Sequence, residues 1–239
     1  MNNAHLRCFF TLSLVFFSTL SFSQGIKDQL HRQTAQRHKS YSYSEARKIL
    51  FNEIHLEEDQ RGYYIWGVYC LKKHYPFGGA HPGNRLPNHT VFNTEHTWPQ
   101  SKFTRRFPKH VQKTDLHHLY PTYSRINSER GNLPYAEVQP MRSLSCQESQ
   151  SGSAISTGNG RYFEPPQGHR GNVARSMFYF SIRYKTSIDP IQEEYLRLWH
   201  REDPVDSSER KRNEAIFRVQ KNRNPFIDSP ELVDQISDF

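Results

Sequence analysis

Apolar positions follow several rhythms along this chain. Behind Ser42 and Glu45, spaced as in a capping box, Ala46, Ile49, Leu50 and Ile54 recur at helical intervals and predict an amphipathic helix. From Gly62 to Leu71 the run is aromatic and β-branched, with Tyr63, Tyr64, Ile65, Trp66, Val68 and Tyr69, which predicts a buried strand. Lys72 to His89 interrupts it with Pro76, Gly78, Gly79, Pro82, Gly83 and Pro87, and reads as a long irregular loop. A short strand from Thr90 to Thr94 then delivers Glu95 and His96 to its end, where Pro99 stops it. Phe103 to Gln112 is basic and reads as irregular, and Asp115 to Tyr120 as a second extended segment. Thr122 is placed to cap a helix on which Tyr123, Ile126, Asn127 and Arg130 share a face, with Gly131 as its stop. Ser145 to Gly160, rich in Ser and Gly, reads as a loop.

The last third carries three helical stripes: Val173, Met177, Phe180 and Tyr184; then Ile191, Tyr195, Leu198 and Trp199; then Ala215, Ile216 and Val219. Stripes of this kind are core faces. The polar stretch from Gln24 to Tyr41 has no period and reads as a mobile start. Short strands among helices predict an α+β fold without a second domain boundary.

The N-terminus changes the picture. A weakly positive start (His5, Arg7) precedes the apolar run Cys8 to Leu20, and Ser21-Phe22-Ser23 supplies small residues at a cleavage site. This is the pattern of a secretory signal peptide over residues 1–23, too short and hydroxylated for a membrane span. The expected mature chain, residues 24–239, is one domain in a secreted or periplasmic protein, away from the membrane and monomeric. Loss of Arg7 lowers the formal charge from +8 to +7, and the isoelectric point of about 9.4 points to polyanionic partners, nucleic acid foremost. Only Cys70 and Cys146 remain after cleavage. An oxidising compartment permits a disulfide between them, with two buried thiols as the alternative. Two cysteines at this spacing are not a zinc site.

The candidate chemistry lies between Val91 and Asn132, in three polar clusters: Glu95-His96-Thr97-Trp98-Pro99, Asp115-Leu116-His117-His118, and Asn127-Ser128-Glu129-Arg130-Gly131-Asn132. Between the first two runs a basic segment. Phosphodiester hydrolysis needs an activated water, relief of charge on the phosphate and a proton for the leaving oxygen. Magnesium prefers oxygen ligands and needs only one or two from the protein, which Glu95 and Asn127 meet, leaving His96 as general base. Adjacent strand residues point to opposite faces, so Glu95 and His96 share a site only where the chain turns. Two rivals stand beside this reading. One is a non-catalytic secreted nucleic-acid-binding protein, and the other a zinc hydrolase built on His96, His117 and His118.

The ordered set of clusters resembles the bacterial endonuclease I family, secreted or periplasmic nucleases of the ββα-metal (His-Me finger) class. Later segments extend the likeness: Gly171-Asn172-Val173-Ala174-Arg175, Trp199 to Asp206, Arg212-Asn213-Glu214, and Asn222-Arg223-Asn224-Pro225-Phe226. The resemblance implies a ββα-metal core with peripheral helices and an endonuclease of low sequence specificity. It further implies His96 as general base, Glu95 and Asn127 as ligands of one Mg2+ ion (with Mn2+ or Ca2+ as substitutes), and DNA, with RNA as a further substrate and a 5′-phosphate product. It also implies an arginine near the scissile phosphate, for which Arg105 and Arg106 are the candidates. Arg130 and Asn132 are further candidates for contact with nucleic acid.

Overall fold

The computed structural model describes residues 23–239. The signal-peptide reading therefore lies, but for Ser23, outside the described residues. Residues 23–35 form a helix, α1, where the sequence suggested a mobile segment. Its anchors are tertiary: Leu30 sits in the main core, the Thr34 side chain is buried, and Asn222 Nδ2 donates to the Thr34 carbonyl at 2.9 Å.

Helix α2, Tyr43–Ile49, starts at the expected capping box. Ser42 Oγ accepts from Glu45 N, and Glu45 Oε2 from Ser42 N. It runs on into a π-helical turn, Leu50–Ile54. Strands β1 (Leu56–Asp59), β2 (Gly62–Gly67) and β3 (Lys72–His74) form an antiparallel sheet in that order. The buried strand thus ends at Gly67, earlier than its apolar run, and three residues of the expected loop pair with it. The rest of the loop, up to His89, contains no helix or strand.

Strand β4, Phe92–His96, pairs antiparallel with β5, Leu119–Tyr123, with Glu95 opposite Tyr120 and His96 opposite Leu119. Helix α3, Lys109–Lys113, and a 3-10 turn, Leu116–His118, lie on the connection between them. Helix α4, Ser124–Arg130, follows β5 without a loop, completing a ββα unit. Thr122 does not cap it. That residue is paired with Asn93 in the sheet and fully buried, and Tyr123 occupies the cap position without a side-chain bond. Gly131 does end α4, at φ 57°, a conformation a side chain would disfavour.

Strands β6 (Val138–Pro140), β7 (Gln150–Ala154) and β8 (Tyr162–Glu164) make a third antiparallel sheet. β7 falls inside the expected Ser/Gly-rich loop. Its glycine is required there, because a Cβ on Gly152 would overlap the Gln139 carbonyl of the adjacent strand. Cys70 and Cys146 are disulfide-bonded, with Cα atoms 5.0 Å apart.

Helix α5, Arg170–Tyr184, is the axis of the core. All of its residues except Arg170 and Asn172 are buried, so the predicted stripe is only part of a helix covered on every side. It packs on α6, Pro190–Glu202, which Asp189 caps, and on α8, Pro225–Asp228. Trp98, just past β4, stacks on Phe180 at 4.8 Å, so the turn after His96 is fastened to this axis.

Helix α7, Ser207–Gln220, buries Ile216 but otherwise a polar face: Glu209, Arg212, Asn213 and Gln220. Two of these side chains, Arg212 and Gln220, hold the Asp115–Leu119 segment. Arg212 Nη2 donates to the carbonyls of Leu116 and Leu119 at 2.6 and 2.9 Å, and Gln220 Nε2 donates to Asp115 Oδ1 at 2.8 Å. Asp115 Oδ2 also accepts from the hydroxyls of Tyr179 and Tyr184. Burial acts to raise the Asp115 pKa, but the neighbouring His38, His117 and His118 leave it lowered, and the carboxylate organises the segment before β5.

Candidate active site

One cleft of about 360 Å³ is lined by residues from the first and third predicted clusters, among them Glu95, His96, Asn127, Arg130 and Asn132, while Asp115, Leu116, His117 and His118 of the second lie outside its lining. The strand-alternation difficulty is resolved at the end of β4. His96 is the last strand residue, and the chain bends immediately after it. Arg130, reaching across from α4, fixes the bend: Nη1 donates to the His96 carbonyl at 3.2 Å and Nη2 to the Thr97 carbonyl at 2.7 Å. Both side chains then line the same cleft, with Glu95 and His96 nearly buried.

The imidazole of His96 has a defined tautomer. Nε2 lies 3.0 Å from the Lys113 carbonyl, which can only accept, so the ring proton sits on Nε2. Nδ1 is left with its lone pair, facing the Gln100 amide at 3.4 Å. Burial, together with the nearby His118, pushes the His96 pKa well below its ordinary value, against the pull of the Lys113 carbonyl. At neutral pH the ring is an uncharged base.

Glu95 is held from one side only. Its Oε1 accepts from Tyr69 at 2.8 Å and from Tyr135 at 3.3 Å, and pairs with Arg130 Nη1 at 3.1 Å. Tyr69 and Tyr135 share a further hydrogen bond at 2.7 Å. Oε2 has no hydrogen-bond partner among the described residues. The amide of Asn127 is fixed in the same way. Nδ2 donates to the Thr94 carbonyl at 3.2 Å, which leaves Oδ1 without a partner among the described residues. A carboxylate oxygen and an amide oxygen therefore line one cleft with their other atoms tied down. Two oxygens of this kind, without protein partners among the described residues and lining one cleft, fit a hard, water-carrying cation.

The remaining candidates separate. Asn132 lines the cleft just past the Gly131 turn. Arg130 does not offer its guanidinium to solvent: its side chain is 2% exposed and committed to Glu95 and the carbonyls of His96, Thr97 and Gly131. It forms part of the cleft wall, where a buried cation is tolerated because it is paired. Arg105 and Arg106 are exposed and lie outside this cleft; Arg106 lines a different one with Lys27, Lys185 and Thr186.

The three-histidine zinc arrangement is not assembled. His117 Nε2 binds the Asn222 carbonyl and His118 Nε2 the Gln112 carbonyl, each turned to its own partner. Among the described residues no three His, Cys, Asp or Glu side chains are grouped to hold a metal ion.

Several residues that shape the site escape sequence reasoning. Tyr69 reads only as part of a buried strand and Tyr135 falls in no motif, because nothing local marks a phenol that donates to a carboxylate 26 or 40 residues away. Tyr43 and Gln100 also line the cleft, the first from the start of α2. The capping-box pattern marked that helix start without indicating what it faces.

The chain is similar to several proteins of known activity. It is 34% identical over 171 residues to the extracellular ribonuclease of Bacillus subtilis (strain 168), covering 61% of this chain and 54% of that protein. The extracellular ribonuclease of Bacillus amyloliquefaciens is 33% identical over the same length, with 61% and 53% covered. An extracellular deoxyribonuclease of Aeromonas hydrophila is 31% identical over 117 residues, 48% of each chain. The chain spans about half the length of the curated relatives it matches. No helix among the described residues is long and apolar enough to cross a membrane. The family model for Endonuclease I matches residues 22–231, which takes in every element of the cleft, and the chain belongs to the Endonuclease I family.

Proposed function

We propose that this protein is a secreted or periplasmic endonuclease that hydrolyses phosphodiester bonds of DNA, and of RNA, with low sequence specificity and with one Mg2+ ion held by Glu95 and Asn127. The observation that carries the reading is the division of labour in the cleft. One imidazole presents an unprotonated Nδ1 beside two oxygen atoms whose partner atoms are already bonded. The bound cation would relieve charge on the phosphate and supply a proton-donating water to the leaving oxygen. The protein residues do the rest. His96 takes a proton from the attacking water onto Nδ1, while its Nε2–H stays on the Lys113 carbonyl and keeps the ring from turning. Arg130 and the two tyrosines restrain Glu95 so that a single oxygen faces the cleft. Low specificity follows if the +7 surface expected after signal cleavage meets phosphates more than base edges. The names of the relatives, extracellular ribonucleases and deoxyribonucleases, support both nucleic acids as substrates and export of the protein.

The test is digestion of supercoiled plasmid and of RNA, with chelator and with magnesium added back, for wild type and three variants. His96→Ala should keep cation affinity while its turnover falls by a factor of roughly 10² to 10⁴. Glu95→Ala should lose cation affinity and regain some rate at high magnesium, and Asn127→Ala should do so more mildly. Full activity in excess chelator would sink the metal role, and loss of cation binding in His96→Ala would make the histidine a ligand.

A further inference from the structure

Beside the His96 end of the cleft, two cations converge on one aromatic ring without a carboxylate between them. Tyr43, which lines the cleft, has its ring centroid 6.0 Å from that of His96. Lys113 Nζ stands 4.1 Å from the centroid of the Tyr43 ring, and its main-chain carbonyl is the one that holds His96 Nε2. Arg47 is one helical turn beyond Tyr43 on the same face of α2. Its guanidinium lies between the rings of Tyr43 and Phe51, at 5.9 and 5.8 Å.

Arg47 is under-satisfied for its environment. Its Nε and Nη2 are buried and have no hydrogen-bond partner. Neither Arg47 nor Lys113 belongs to an ion pair among the described residues. A buried guanidinium nitrogen without an acceptor is costly, and two like charges around one ring repel each other. Cation–π contact offsets part of this, but supplies no hydrogen-bond acceptor. An anion bound by the two would offset their mutual repulsion.

We infer that Arg47 and Lys113, both set against the Tyr43 ring, form an anion subsite that grips a phosphate of the substrate strand next to His96, separate from the phosphate over Glu95 and Asn127. This rests on the nuclease reading for the identity of the anion. The subsite would orient the strand by fixing a second point on its backbone, and its loss would raise KM with little change in kcat.

The test is binding of a short 5′-phosphorylated oligothymidylate, measured in chelator so that no cleavage occurs, across a range of salt concentrations. Arg47→Met and Lys113→Met should each weaken binding about tenfold, the scale of one lost charge-assisted hydrogen bond, and each should lower the salt slope by about 1. Arg47→Lys, which keeps the charge, should recover most of the salt slope. Arg218→Met, on the exposed side of α7, should bind as wild type does. Thermal melts check that the variants are folded, and Lys113→Met decides the question if Arg47→Met is not. Wild-type affinity and salt slope in folded Arg47→Met and Lys113→Met would overturn the subsite. A wild-type protein that grips the oligonucleotide through these residues but cleaves neither DNA nor RNA with any divalent cation would keep the subsite and overturn the nuclease reading.

Discussion

Replacing Arg130 by methionine tests how the cleft is held together. The substitution keeps an unbranched apolar stem and removes the guanidinium. Glu95 then loses its buried cation at 3.1 Å, and the carbonyls of His96 and Thr97 lose their donors. Both members of the pair have side chains only 2% exposed, so solvent screens little of the interaction. Breaking a buried pair from one side typically costs about 3–5 kcal/mol, because the remaining charge is left without compensation. The carbonyls add little if water from the cleft replaces the lost donors. Arg130→Met should therefore be less stable than wild type by about 3–5 kcal/mol in urea unfolding with chelator present. The double variant Glu95→Gln/Arg130→Met removes the stranded charge, so it should recover at least about 2 kcal/mol of that loss, a coupling expected of groups in direct contact. If the double variant is less stable than Arg130→Met alone, Arg130 is not the counter-charge of Glu95 and the account of the strand end fails.

Two further outcomes follow from the buried groups. Burial pushes the pKa of His117 and of His118 down to about 4 and that of His169 to about 3, from 6.5, so the folded state resists protons that the unfolded chain accepts. Stability should be full above pH 6.5 and fall below it, by up to about 1.4 kcal/mol per pH unit for each histidine until its folded pKa is reached. The lowered Asp115 adds to the loss below its unfolded value of 3.8. A urea midpoint that stays constant from pH 7 to pH 4 would contradict this. The Cys70–Cys146 bridge spans a sequence separation of 76, for which chain entropy predicts about 4 kcal/mol of stabilisation. The paired Cys70→Ala/Cys146→Ala variant should lower the urea midpoint accordingly, and an unchanged midpoint would show that the bridge constrains nothing the fold does not already constrain.

Local pattern carried much of this protein. The capping box at Ser42 and Glu45, the stop at Gly131 and the helical last third depend on interactions within a few residues, so they are readable in order along the chain. The first and third polar clusters also named residues that share the cleft, because their spacing along strand, turn and helix is written locally, whereas the second, Asp115 to His118, is turned into the interior. Long-range contacts were out of reach. The segment from residue 23 to 35 has no apolar period, and it is helical because Leu30 enters the core and Asn222 binds Thr34. The Ser/Gly-rich stretch holds β7 because the adjacent strand passes too close for anything but glycine at position 152. In sequence Arg130 shares a helix face with Ile126 and Asn127 and is a candidate for contact with nucleic acid. Its burial and its role behind Glu95 exist only once α4 has packed on β4. The same packing decides which oxygen of Glu95, which atom of Asn127 and which nitrogen of His96 remain free. Each of these depends on where the competing donors and acceptors come to rest, and those come from Tyr69, Thr94, Lys113 and Tyr135.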